Sequence, residues 1–197
     1  MLMGFHSAMV ASRPPANLPV FALMNAGGVR ATIDVGNITM GEVLTAFPFG
    51  NSIVEVTISG DRLWTTLEGI VSKVSQVNGR PVTSFVQVSR DIVIEYNPSA
   101  PEGNRLLSVT IEKKPLDLKA EYRMVTIDFL AKGGDNFFSP TFNNPTTLKL
   151  LDEALVDYIV AKSPVDIVLD GRIKTGKPSK CRRNTKRGVT RKERRRQ

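Results

Sequence analysis

The chain has 197 residues, 41% of them hydrophobic and 23% charged, with a formal net charge of +8. This is ordinary globular composition, which excludes a wholly disordered chain, and no apolar run reaches the roughly 18–20 residues that cross a bilayer. One cysteine, Cys181, excludes an intramolecular disulfide, and one histidine, His6, leaves too few imidazoles for a histidine-built metal site or a histidine-dependent triad.

The first eleven residues lack the basic start and long apolar stretch of a secretion signal. Met3, Phe5 and Met9-Val10 fit one or two helical turns, which Arg13-Pro14-Pro15 interrupts. Leu18–Met24 is a continuous apolar run of strand length and ends in the turn chemistry of Asn25-Ala26-Gly27-Gly28. Thr39 followed by Glu42 forms a capping box ahead of Val43, Leu44 and Phe47, and Pro48 stops that helix. Ser52–Ser59 alternates as a strand does. Gly60-Asp61 opens a second helix, with Leu63, Trp64, Leu67, Ile70, Val71 and Val74 at helical spacing, and Trp64 reads as core.

The second half is strand-rich. Ile92–Tyr96, Leu106–Glu112 and Tyr122–Phe129 alternate with period two, and Asn97–Asn104, with Pro98, Pro101 and Gly103, reads as a turn or hairpin loop between the first two. Asn144-Pro145 is expected to open a last helix carrying Leu148, Leu151, Leu155, Ile159 and Val160 on one face. Strands and helices interleave without strict βαβ alternation, which predicts an α+β domain over residues 1–173.

The charge is concentrated at the end. Residues 174–197 hold twelve Lys or Arg and one acid, Glu193, whereas residues 1–173 carry a net −3. With almost no large apolar side chains this tail is expected to be disordered. Two readings stay open for it: an arm for nucleic acid or another anionic surface, or a solvated extension without stacking aromatics.

Three segments carry more polar and glycine content than a core needs. In Asn25–Arg30, paired glycines admit a close ligand and Arg30 offers planar donors suited to phosphate or carboxylate. In Pro48–Asn51, Phe49 either stacks on a planar ring or folds back onto the core, and Asn51 carries a paired donor and acceptor. In Phe129–Phe138, a Gly-Gly turn after Phe129 presents Asp135, whose carboxylate suits a sugar diol. An arginine, two loop aromatics and one acid suffice to hold a nucleotide.

Three anchors, NAGGVRATID at 25–34, ITMGEVLTAFPFGNSIVEVTISGDRL at 38–63 and YRMVTIDFLAKGGDNF at 122–137, together resemble the C-terminal substrate-binding domain of the 5'-nucleotidase family of metallophosphoesterases, over about Ser7 to Ile173. The resemblance implies a mixed sheet with flanking helices. It also implies that Phe49 and Phe129 sandwich a nucleobase, that Asp135 holds the ribose hydroxyls, that Arg30 faces phosphate and sugar, and that Asn25 and Asn51 lie near the base. Ser84 stands where the family usually has glycine, as it also has near Ser89-Arg90, where Arg90 is unusually large for the turn, so the local loop Thr83–Gln87 is expected to differ and Phe85 to be displaced. The family's first helix is expected to be truncated here, with His6 a surface or packing residue and an upstream phosphate-binding arginine missing.

The family binds two divalent metal ions through Asp-x-His and Gly-Asn-His-Glu motifs in a separate N-terminal domain. Neither motif occurs in this sequence. The expectation is therefore a nucleotide-binding domain that binds no cofactor itself. It would work with a metallophosphoesterase domain in hydrolysing nucleoside 5'-phosphates and would be inactive alone. The other reading is a non-catalytic fragment or pseudoenzyme whose basic tail binds nucleic acid.

Overall fold

The computed structural model describes residues 18–177. The N-terminal helical turns, His6 and residues 178–197 of the basic tail lie outside the described residues. Within them the fold is α+β. Nine strands form two sheets: β1 (Val20–Asn25), β2 (Ser52–Ser59), β3 (Val86–Val88), β4 (Ile92–Tyr96), β5 (Leu106–Ile111), β6 (Lys114–Pro115), β7 (Glu121–Ile127), β8 (Thr146–Leu150) and β9 (Ile173–Thr175). Four helices accompany them: α1 (Met40–Ala46), α2 (Gly60–Ser72), the single turn α3 (Asp128–Ala131) and α4 (Leu151–Lys162).

The larger sheet has the order β3-β1-β7-β2-β8 and the smaller β6-β5-β4-β9. Only β1 and β7 run parallel in the larger sheet; β3 is antiparallel to β1, and β2 is antiparallel to both β7 and β8. Buried Phe21, Leu23, Ile53, Ile58, Leu63, Leu67, Ile70, Ile92, Ile94 and Met124 join both sheets and α2 in one core. None of the described helices is long and apolar enough to cross a membrane.

Local chemistry accounts for the element boundaries. The Thr39 hydroxyl accepts from the Glu42 N–H at 3.3 Å while the Glu42 carboxylate accepts from the Thr39 N–H at 2.7 Å, so the capping box forms in full. Gly60 starts α2 against the Asp117–Ala120 turn, where a Cβ would lie 2.0 Å from the Asp117 carbonyl oxygen, so no larger residue fits. Residue Lys73, in the left-handed region at φ 61°, ends α2 before Val74. Val74 instead forms an isolated bridge with Pro81.

Two expectations are corrected. Thr146–Leu150 is not the start of the last helix but an edge strand paired with β2, and α4 begins at Leu151. The Pro145 signal for a helix start is outweighed by the open edge of β2, which offers the Thr146–Leu150 backbone partners. Phe129 does not end a strand: β7 stops at Ile127 and the chain turns helical at Asp128, placing Phe129 on α3. At the other end, β9 pairs parallel with β4 through Ile94↔Ile173 and carries regular structure to Thr175, two residues past the boundary expected at 173.

Candidate functional site

Sheet topology gathers the three polar segments. β1 and β7 are parallel, so their C-terminal ends, at Asn25 and Ile127, point the same way. β2 is antiparallel to β7 with Ile53 opposite Ile127, so its N-terminal end, preceded by Phe49 and Asn51, lies at that edge as well. β3 is antiparallel to β1 with Val86 opposite Asn25, which adds Thr83–Phe85 to the same edge. Four strands thus deliver Asn25–Arg30, Pro48–Asn51, Thr83–Phe85 and Phe129–Asn136 to one end of one sheet.

There the segments bond to each other. Asn25 Nδ2 donates to Asp135 Oδ2 at 2.7 Å, and Thr83 Oγ1 donates to Asp135 Oδ1, also at 2.7 Å. Asn25 is 5% exposed and its Oδ1, fully buried, has no hydrogen-bond partner. Asp135 sits on a turn in the left-handed region at φ 53°, between Gly133 at 93° and Asn136 at 56°. Such a backbone is costly for ordinary residues and tolerated best by Asp and Asn. Asn136 Nδ2 closes the turn on the Pro81 carbonyl at 2.7 Å.

The aromatic positions are open to solvent. Phe49 is 58% exposed, on the loop after α1, so it does not fold back onto the core. Phe129 is 42% exposed, and its ring lies flush against Gly134, where a Cβ would meet three ring carbons within 2.6 Å. The glycine therefore lets the turn that carries Asp135 sit directly against the Phe129 ring. Arg30 is exposed, with its guanidinium 5.8 Å from the Phe49 ring centroid and Nη1 donating to the Gly27 carbonyl at 3.3 Å. Asn51 is half-buried, and its carbonyl accepts from the Leu151 N–H at 3.0 Å at the start of α4.

Behind Phe129, Asp128 ties α3 to the head of β2. Its Oδ1 accepts from the Ser52 N–H at 3.1 Å and its Oδ2 from Lys132 Nζ at 2.9 Å. Partial burial pushes this carboxyl up, but the bonds from Lys132 and Ser52 outweigh it and hold the pKa below the usual Asp value.

The Thr83-Ser84 pair, expected only to alter a loop, has a definite place. Ser84 Oγ accepts from the Gly27 N–H at 2.9 Å, and Phe85 is half-buried with its ring tilted against Tyr96 at 5.9 Å. Sequence reasoning passed over Thr83 and Asp128; the departure from glycine at Ser84 was the one signal pointing to the first. A cavity of about 670 Å³, lined by Met24, Phe47, Phe85, Val88, Leu169 and Ile173 among others, opens beside the site but reaches neither Phe49 nor Phe129.

No three His, Cys, Asp or Glu side chains cluster among the described residues. The most buried carboxylate, Glu68, is saturated by Ser72 Oγ at 2.6 Å, Arg105 N–H at 3.0 Å and Leu106 N–H at 2.7 Å. The groups gathered at this sheet end are two exposed aromatic rings, a carboxylate, a buried amide and a guanidinium.

Comparison with known proteins agrees with this architecture. The family defined as "5'-nucleotidase, C-terminal domain" matches residues 5–143. The chain is 33% identical over 182 residues to an apyrase of Tabanus yao, covering 86% of this chain and 32% of that protein. It is 32% identical over 151 residues to a 5'-nucleotidase of Vibrio parahaemolyticus, covering 75% of this chain and 25% of that protein. The crystal structure of a 5'-nucleotidase precursor from Thermus thermophilus superposes with a TM-score of 0.70 at 32% identity, covering 88% of this chain and 33% of that one. The chain belongs to the 5'-nucleotidase family and carries its C-terminal domain. It spans a quarter to a third of the length of these relatives.

Proposed function

We propose that this domain binds the nucleotide substrate of a 5'-nucleotidase-like hydrolase acting in nucleotide catabolism. The observation that carries the reading is the convergence, at one sheet end, of two exposed aromatics, Phe49 and Phe129, with the Asn25–Asp135 pair and Arg30. The names of the relatives, apyrase and 5'-nucleotidase, support a nucleotide as the ligand. In this reading Phe49 and Phe129 take the base between them, Asp135 accepts from the ribose hydroxyls, Asn25 and Asn51 lie toward the base, and Arg30 faces the sugar and phosphate. Stacking contributes roughly 1–3 kcal/mol per ring. Two rings therefore supply much of the roughly −8 kcal/mol of a micromolar complex.

Hydrolysis itself belongs to a metallophosphoesterase domain, to which this domain contributes selection and positioning. The chain has one histidine and neither metal-binding motif, so the pure protein is expected to release no phosphate from AMP with added divalent metal. Metal-dependent, EDTA-sensitive release would overturn that division of labour.

Calorimetric titration with adenosine and AMP tests the site. Phe49→Ala and Phe129→Ala are each expected to weaken binding by roughly fivefold to a hundredfold. Unchanged affinity in both variants refutes the sandwich.

A further inference from the structure

In the proposed site Asp135 takes the ribose, for which its carboxylate must be aimed at two hydroxyls. The side chain sits on a half-buried turn in which Gly133, Asp135 and Asn136 have left-handed φ, with no sheet partner of its own. Left alone, such a carboxylate rotates freely, and a diol would bind only after paying to orient it.

The orientation comes from across the site. Thr83 Oγ1 donates to Asp135 Oδ1 at 2.7 Å while its own N–H donates to the Asp135 carbonyl at 3.3 Å, so one residue grips both ends of the aspartate. Asn25 Nδ2 takes the other carboxylate oxygen. A carboxylate has about four lone-pair sites, two on each oxygen. Thr83 and Asn25 occupy one on each, which fixes the carboxylate plane and leaves one free acceptor per oxygen. Two acceptors side by side are what a vicinal diol needs, one for each hydroxyl. Ser84 next to Thr83 accepts from the Gly27 N–H at 2.9 Å, so Thr83 is itself anchored to the Asn25–Gly28 turn.

We infer that Thr83 is a positioning residue for sugar selection, holding Asp135 so that the domain prefers ligands with an intact 2',3'-diol. The inference rests on the nucleotide-binding reading and adds to it the residue that sets the preference. Thr83 acts through Asp135 and is exposed, so it contributes little to the core.

The test is the ratio of affinities for adenosine and 2',3'-dideoxyadenosine, measured by titration calorimetry on the full chain. Thr83→Val keeps the branched shape and the backbone N–H and removes only the hydroxyl donor. The wild-type protein is expected to prefer adenosine. In Thr83→Val, adenosine affinity should fall by roughly fivefold to tenfold while dideoxyadenosine affinity stays within twofold. Thr83→Ser, which restores the donor, should recover the wild-type ratio. An unchanged ratio in Thr83→Val overturns the positioning role while leaving nucleotide binding intact, as does an equal loss for both ligands. Binding of neither ligand by the wild-type protein overturns the underlying reading, and this inference with it.

Discussion

Asn25 and Asp135 lie 110 positions apart in the chain and meet through a 2.7 Å hydrogen bond from amide nitrogen to carboxylate oxygen. The pair joins the end of β1 to the turn beyond β7. Because Asn25 is buried and its second polar atom has no partner, the site holds a neutral amide where a charge would be poorly tolerated.

Asn25→Asp therefore places two carboxylates against each other in a buried setting. Like-charge contact and burial both raise the new carboxyl's pKa in the folded state. A carboxyl with a raised folded pKa destabilises the fold at pH values above that pKa, and the deficit shrinks as pH falls toward the unfolded value of about 4. Asn25→Asp is expected to lose roughly 1–3 kcal/mol relative to wild type at pH 7 and less at pH 4.5, read from denaturant midpoints of both proteins at each pH. A deficit independent of pH would show that the two carboxylates do not meet.

Gly134→Ala is expected to separate affinity from stability. Its Cβ would collide with the Phe129 ring, and because that ring is 42% exposed it can swing into solvent rather than strain the core. Melting should change by no more than about 1 kcal/mol, while adenosine affinity falls by about the tenfold or more that loss of one stacking face brings. Retained affinity would mean that Phe129 does not stack in its present position.

Asp128 predicts a pH signature of the opposite sign. Its folded pKa is lowered by Lys132 and the Ser52 N–H against the effect of burial. The stability it adds is therefore present in full above the unfolded value of about 4 and is lost as pH falls through the lower folded value. Asp128→Asn should cost up to about 1 kcal/mol at pH 7, and the gap to wild type should close below pH 4. Urea titrations at pH 7 and pH 3 check this; a gap that widens in acid contradicts it.

Glu68 lies away from the site and predicts a purely structural effect. Its carboxylate satisfies the Ser72 hydroxyl and the N–H groups of Arg105 and Leu106, and the Ser72 oxygen in turn accepts from the Gly103 N–H at 3.0 Å. Glu68→Ala strands these buried donors and is expected to destabilise by roughly 3 kcal/mol or more. The surviving folded protein should bind adenosine as wild type does, measured below its melting temperature.

Much of this fold was legible because local chemistry and the hydrophobic period agree. Ser52–Ser59 and Ile92–Tyr96 alternate cleanly and stand as strands with those limits, and Thr39 with Glu42 announced α1. Where local signals were overruled, the deciding partner lay far along the chain. Thr146–Leu150 carries a proline signal for a helix, yet β2 draws it into the sheet. β9 is three residues long and owes its form to Ile94, Glu95 and Tyr96, nearly eighty positions earlier. The site residues were legible as unusual segments and through a family pattern. The bonds of Asp135 to Asn25 and Thr83 were not, since nothing in either segment names its partner. The period-two alternation of Tyr122–Phe129 does not show where the strand stops, whereas in the fold the Asp128 carboxylate, bonded to the Ser52 N–H, stands at the change to a helical turn.

The assembly of the site from four strand ends has a thermodynamic consequence. β7 lies in the middle of the larger sheet, flanked by β1 and β2, and each of these three strands opens into a segment that is expected to touch the ligand. Each segment holds only part of the proposed site, so ligand affinity is expected of the folded sheet as a whole. Occupancy then acts on the whole domain by mass action: at a ligand concentration about a hundred times Kd, it adds about 2.7 kcal/mol to global stability. Ligand-induced shifts in melting temperature thus report binding and completed folding as a single cooperative event.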